Sequence, residues 1–220
     1  MSPIILGPSS PAPPPAQGMS LGDAQSELAA RGFDYLTASR MTIMLNDAKN
    51  TFEDTWEFPW LYGIASGPAP LDVSDLKYVL TVKTASDDEL LGTDLRILAQ
   101  DSTDLSLPGT PERWYLTDDV GDRTTLRTWP TSDAALTVVY IRASPELSDV
   151  SDGPLIPARY HPIWIDLAVI QAYQDSDNFA GAQALRADVN QRLQDVIERY
   201  ETRNRQHAEI IAIRNWSEDD

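Results

Sequence analysis

The stretch Pro154–Arg205 constrains this chain most, because it reads as two helices joined by a turn too short to let them separate. In its second half Leu185, Val189, Leu193, Val196, Ile197 and Tyr200 fall on one helical face, and in its first half Ile163, Leu167, Ile170 and Tyr173 form a comparable stripe. Between them, Asp175-Ser176-Asp177-Asn178 supplies a stop and an N-cap, since these side chains accept bonds from the free N–H groups that open the next helix. So short a connector makes the helices antiparallel neighbours. Neither stripe is stable in water, so the hairpin requires a further helix or a partner to cover it.

The covering helices are sought upstream. A helix is expected from Ser20 to Arg31, closed by Gly32, and a second from Thr37 to Trp56 with Met41, Met44, Leu45, Ala48, Phe52 and Trp56 on one face. Met and aromatic stripes of this kind are ordinary core. Pro59 stops the second helix within Phe58-Pro59-Trp60-Leu61-Tyr62, whose aromatics are expected to plug the junction of helices and sheet. Between 76 and 143 the period falls to two. Strands are expected at Leu76–Val82, Leu95–Ala99, Arg113–Thr117, Arg123–Trp129 and Leu136–Ile141, with a hairpin turn at Asp118–Asp122, all in one antiparallel meander. Glu146–Gly153 is a polar link back to the helices.

The expected fold class is therefore α+β: an α-helical bundle with an inserted antiparallel β-domain, flanked by extended N-terminal and C-terminal arms. The expected divisions are a Pro-rich arm at 1–19, bundle helices at 20–62, the β-domain with its linkers at 63–153, the helical hairpin at 154–206 and a docking arm at 207–220. The first arm is too poor in core-forming residues to fold alone, and Pro11–Pro15 favours polyproline II.

With 220 residues and a hydrophobic fraction of 42%, the chain is large enough to bury a core. It has no cysteine, no apolar run of membrane-spanning length and no signal-peptide pattern, so an intracellular site of synthesis is expected. Its net charge of −17 argues against wrapping duplex DNA, which rewards neutralisation of phosphates. Arg186, Arg192, Arg199, Arg203, Arg205 and Arg214 gather in the last helix and tail. They are interleaved with Asp188, Asp195, Glu198 and Glu201, as on a solvated, ion-paired face.

No catalytic, cofactor or metal site is nominated. His161 and His207 are isolated, and His161, before Pro162, suits capping or packing. Gly63-Ile64-Ala65-Ser66-Gly67 lacks the nucleophile-elbow spacing and is expected to be a loop. Asp87-Asp88-Glu89 lacks the ligand spacing of a calcium loop, and Asp118 with Asp122 is a chance pair in a carboxylate-rich chain. Trp56, Trp60, Trp114 and Trp129 do not alternate on one exposed strand face as a sugar platform requires. The segment from His207 to Trp216 reads as a strand-like arm for a neighbouring subunit in preference to a helix that continues, because Ile211 and Ile213 alternate with small or polar residues.

This order resembles a phage head–tail connector family, the adaptor proteins beneath the portal. The resemblance rests on LTVVYIRASPELSDVSDGPLIPARYHP followed by IWIDLAVIQAYQDSDNFAGAQALRADVNQRL. These runs give a last strand, a polar link, a Pro-x-x-Tyr turn at Pro157 and Tyr160, and an Ala-rich hairpin with Ala168, Ala172, Ala180, Ala182 and Ala184. Met41–Trp56 leading into FPWL is similar to the family's opening helices, so the likeness spans Leu21 to Arg205. It implies a structural virion protein of the neck, made in the bacterial host cytoplasm, that forms a twelvefold ring between the portal and a stopper or tail-completion protein. It implies self-packing through Ala168, Ala172, Ala180, Ala184 and Leu185, and portal docking through Ile210, Ile211, Ile213, Arg214 and Trp216. Genome DNA would pass through an acidic bore without specific binding, with no enzyme activity, cofactor or membrane. The alternatives are another neck ring, which is typically mostly β, and a soluble monomeric protein- or carbohydrate-binding module.

Overall fold

The computed structural model describes residues 18–101, 104–119 and 123–216, and the chain divides into two compact units. Pro15–Trp60 and Glu146–Asp220 contribute to a helical unit; Leu61–Pro145 builds a β-rich one.

The helical unit begins with α1 (Leu21–Leu28), opened by a reciprocal capping box. Ser20 Oγ accepts the Asp23 N–H at 3.2 Å, and Asp23 Oδ2 accepts the Ser20 N–H at 3.0 Å. A wider π-helical turn, Ala29–Phe33, carries Gly32 at φ 96°, a left-handed conformation that glycine adopts without strain. Then come α2 (Ala38–Glu53), capped by Thr37, α4 (His161–Asp175) and α5 (Phe179–Trp216). Asp177 at φ 57° turns the chain between α4 and α5, and Asn178 Oδ1 then accepts the Gly181 N–H at 3.0 Å. The hairpin is thus formed as its spacing requires.

The helix α4 is buried on more than a stripe: Ile163, Trp164, Ile165, Ala168, Val169, Ile170 and Ala172 are all in the core. A helix apolar on every side belongs at the centre, and α4 packs against α1, α2 and α5. The Trp164 indole N–H donates to the Leu45 carbonyl at 2.8 Å, which satisfies the one polar atom of a fully buried ring. On α5 only Ala182, Val189, Leu193, Val196 and Tyr200 are buried among the described side chains. Phe58 and Trp60 stack at 4.3 Å and join Phe52, Trp56, Tyr160 and Tyr200 in an aromatic cluster of this unit.

The β-rich unit holds β1 (Tyr62–Pro68), β2 (Leu71–Val73), β3 (Leu76–Thr84), β4 (Leu91–Gly92), a short α3 (Leu95–Asp101), β5 (Arg113–Asp119), β6 (Arg123–Trp129) and β7 (Ala135–Arg142). They form two sheets, β1-β7-β3 and β2-β6-β5-β4. Val73, Val82, Leu90, Leu126, Leu136, Val138 and Tyr140 make its core. Gly63 is opposite Tyr140 in register, and a Cβ there would meet the tyrosine ring at 2.5 Å; the strand closes over the ring only with glycine.

Four local expectations are corrected. The simple meander is replaced by two sheets in which β7 lies between β1 and β3 and β4 runs parallel to β5. Leu95–Ala99 is helical, because Asp94 caps the turn by accepting the Arg96 N–H at 2.7 Å and the buried residue is Leu98, outside the supposed alternation. Gly63–Gly67 is strand β1, whose inward positions Gly63, Ala65 and Gly67 are small and so hid its alternation. His207–Trp216 continues α5 as helix: no glycine or proline breaks it, and Ala208, Glu209, Ala212 and Arg214 are good helix formers. The Pro-rich arm and part of the expected Asp118–Asp122 turn lie outside the described residues.

Candidate interaction surfaces

No described helix is long and apolar enough to cross a membrane, and no group of three or more His, Asp or Glu among the described residues is placed to hold a metal. His161 is a core residue. Its Nδ1 accepts the Met19 N–H at 3.1 Å, so the proton resides on Nε2, which donates to the Ile156 carbonyl at 2.8 Å. Burial holds its pKa below the ordinary histidine value. Ser66 faces Thr137 across the sheet at 3.3 Å. Asp87 is taken by Lys83 and Glu89 by Thr81, each at 2.8 Å, so the acidic turn is tied into its hairpin. Trp56 and Trp60 belong to the helical unit and Trp114 and Trp129 to the β-rich one, all half-buried.

Three polar arrangements organise the helical unit. Asp166, projecting from the apolar α4, accepts from Arg31 at 2.5 Å and from Arg192 of α5. Two arginines on one nearly buried carboxylate tie α4 to the turn after α1 and to α5. Asn46 grips the link after β7 with both ends of its amide, donating to the Leu147 carbonyl at 3.0 Å and accepting the Leu147 N–H at 2.9 Å. Lys49 is fully buried on α2; desolvation lowers its pKa, against the opposing pull of Glu53 and Glu146. The lone carboxylate in the run WIDLAVI and the Lys49–Glu53 spacing are visible in sequence, but their partners come from remote segments. An open cleft of about 510 Å³ lies beside the Asn46 clasp, lined by Ser39, Thr42, Ile43, Asp47, Glu146 and Ser148 among others.

Of the residues expected to pack between subunits, Ala168 and Ala172 are fully buried within the chain's own helical unit, where small side chains admit neighbouring helices closely. Ala180 and Ala184 are exposed on α5, and Leu185 is half-buried. Ile210, Ile211, Ile213, Arg214 and Trp216 all lie on the last turns of α5. The last buried side chain described on that helix is Tyr200, whose hydroxyl accepts from Arg159 at 2.8 Å. From there the helix carries on to Trp216, roughly 24 Å at 1.5 Å per residue.

No curated protein matches the chain. A family model described as SU10 adaptor protein matches residues 15–211, which takes in every element of both units up to the last turns of α5. That span is most of the chain, and the chain belongs to the SU10 adaptor protein family, a family of phage head-to-tail adaptors.

Proposed function

We propose that this phage adaptor is a structural ring subunit of the virion neck, twelve copies joining the portal to a stopper or tail-completion protein around an acidic channel. The observation that carries the reading is that α5 runs on as helix to Trp216, past Tyr200, the last buried side chain among those described on it. Its last turns carry Ile210, Ile211, Ile213 and Trp216, apolar residues that we take to be covered by an external surface. The portal is that surface, with Arg214 supplying a charged contact, and the exposed Ala180 and Ala184 with Leu185 let α5 of one copy approach its neighbour. The role involves no catalysis and no cofactor.

Native mass spectrometry of the protein with the portal of its own phage tests this. The full chain is expected to give a twelvefold complex, and the chain cut after Arg205 to lose portal binding. A full-length chain that stays monomeric with the portal would sink the reading, and a complex that survives the cut would remove the docking role from the end of α5.

A further inference from the structure

The link after β7 runs beside α2 and makes the outward face of that helix concave. Ser39, Ile43 and Asp47 fall four residues apart on α2, so they share that face, and Glu146 and Ser148 of the link line the same cleft. Ile43 is 48% exposed there, an aliphatic side chain that the helical unit leaves uncovered. Among the described residues Asp47 makes no hydrogen bond or ion pair, while Glu146 shares its charge with the buried Lys49. No lysine or arginine lines the cleft among the described residues. Its chemistry suits an arginine, whose methylene stem covers Ile43 while the guanidinium bonds the Asp47 carboxylate.

Such a cation has to be free of partners in its own chain. Among the described residues, the side chains of Arg96, Arg186 and Arg199 are exposed and make no hydrogen bond or ion pair. Arg96 stands beside Asp94, which caps its turn, and Arg199 has Asp195 one helical turn before it. Arg186 has Ala182, Gln183, Val189 and Asn190 at the positions three and four residues away, and none is a carboxylate. In a chain with 34 acidic side chains against 17 basic ones, a helix cation without an acidic neighbour in register is the exception. The cleft is on α2 and Arg186 on α5, so a contact between two copies leaves a free cleft on one and a free arginine on the other. That head-to-tail arrangement is the kind that closes into rings.

We infer that Arg186 of one copy fills the Ile43–Asp47 cleft of a second copy, in the same sense from each subunit to the next. The inference rests on the ring proposed above and names a contact that holds it. Charge reversal tests it by native mass spectrometry of the full chain with the portal. Asp47→Arg, prepared isotopically heavy, and Arg186→Glu, prepared light, are each expected to lose assembly about tenfold or more when alone, because each then meets like charge at every contact. Mixed, they are expected to assemble again with heavy and light copies in equal number, since every heavy–light contact pairs opposite charges. Both positions are exposed, so circular dichroism of both variants should match the parent. A folded pair whose mixture fails to assemble, or one that mixes heavy and light at random, would overturn the inference. The parent chain separates the two ideas: a parent ring indifferent to both reversals removes only this contact, and a parent that forms no oligomer removes the ring as well.

Discussion

Asp166 ties together remote parts of the helical unit, because its two partners, Arg31 and Arg192, come from distant stretches of the chain. Arg31 and Arg192 converge on it, with side-chain exposures of 34% and 32% against 11% for the aspartate. Solvent screens the arginines in part, so Asp166→Asn should cost about 2–3 kcal/mol, below the full cost of breaking a buried pair. Urea denaturation should show the midpoint falling with an unchanged slope. His161 makes a different prediction. Burial lowers its folded pKa beneath the unfolded value of about 6.5, so the unfolded chain takes up the proton first as pH falls. Its contribution to stability is whole above about pH 6.5 and declines below it, since a protonated ring no longer accepts the Met19 N–H. Melting temperatures between pH 7 and 5 should fall, and His161→Gln should flatten that slope.

At the scale of elements, the hairpin of α4 and α5 was legible because helical periodicity, a capping turn and its brevity agree. The β-rich unit was less so. Its inward β1 positions are Gly63, Ala65 and Gly67, and their smallness makes room for Tyr140 without producing an apolar alternation. Two register shifts in β3 likewise divert the alternation of Leu76, Tyr78 and Leu80 that had promised a buried face. The pairing of β7 with both β1 and β3 is long-range and leaves no local signal. The end of α5 misled in the opposite direction, since alternating isoleucines suggest a strand but the absence of any breaker lets the helix run. Of the candidate packing residues, sequence showed that Ala168 and Ala180 are small, and only the fold shows that one is buried and the other exposed. Gly63→Ala tests the packing of β1 directly. Its methyl group would fall 2.5 Å from Tyr140 Cζ, whose hydroxyl is fixed by a 2.8 Å bond to Asp75, so the ring has little freedom to yield. A loss of about 1–3 kcal/mol is expected, as for overpacking of a core, and is measurable by chemical denaturation.

For the whole molecule, charge sets what the protein can do with nucleic acid. The chain carries 34 acidic side chains against 17 basic ones. Its most arginine-rich stretch, α5, interleaves them with carboxylates, and Arg192 is spent on Asp166 and Asp188. Binding to duplex DNA draws most of its non-specific affinity from releasing counterions as lysines and arginines replace them at phosphates. A surface with this imbalance offers few such replacements, and adds repulsion within a Debye length of about 10 Å near 0.1 M salt. In the ring proposed above the effect would be multiplied, because the same sequence would line the bore at every subunit. The protein is therefore expected to show no change in fluorescence anisotropy of labelled duplex DNA even at about 50 mM salt, where electrostatic binding is strongest. Tight binding that weakens steeply with added salt would mean that the arginines of α5 are segregated on one accessible surface. Passage of DNA without binding, as in the ring proposed above, would then be the wrong reading.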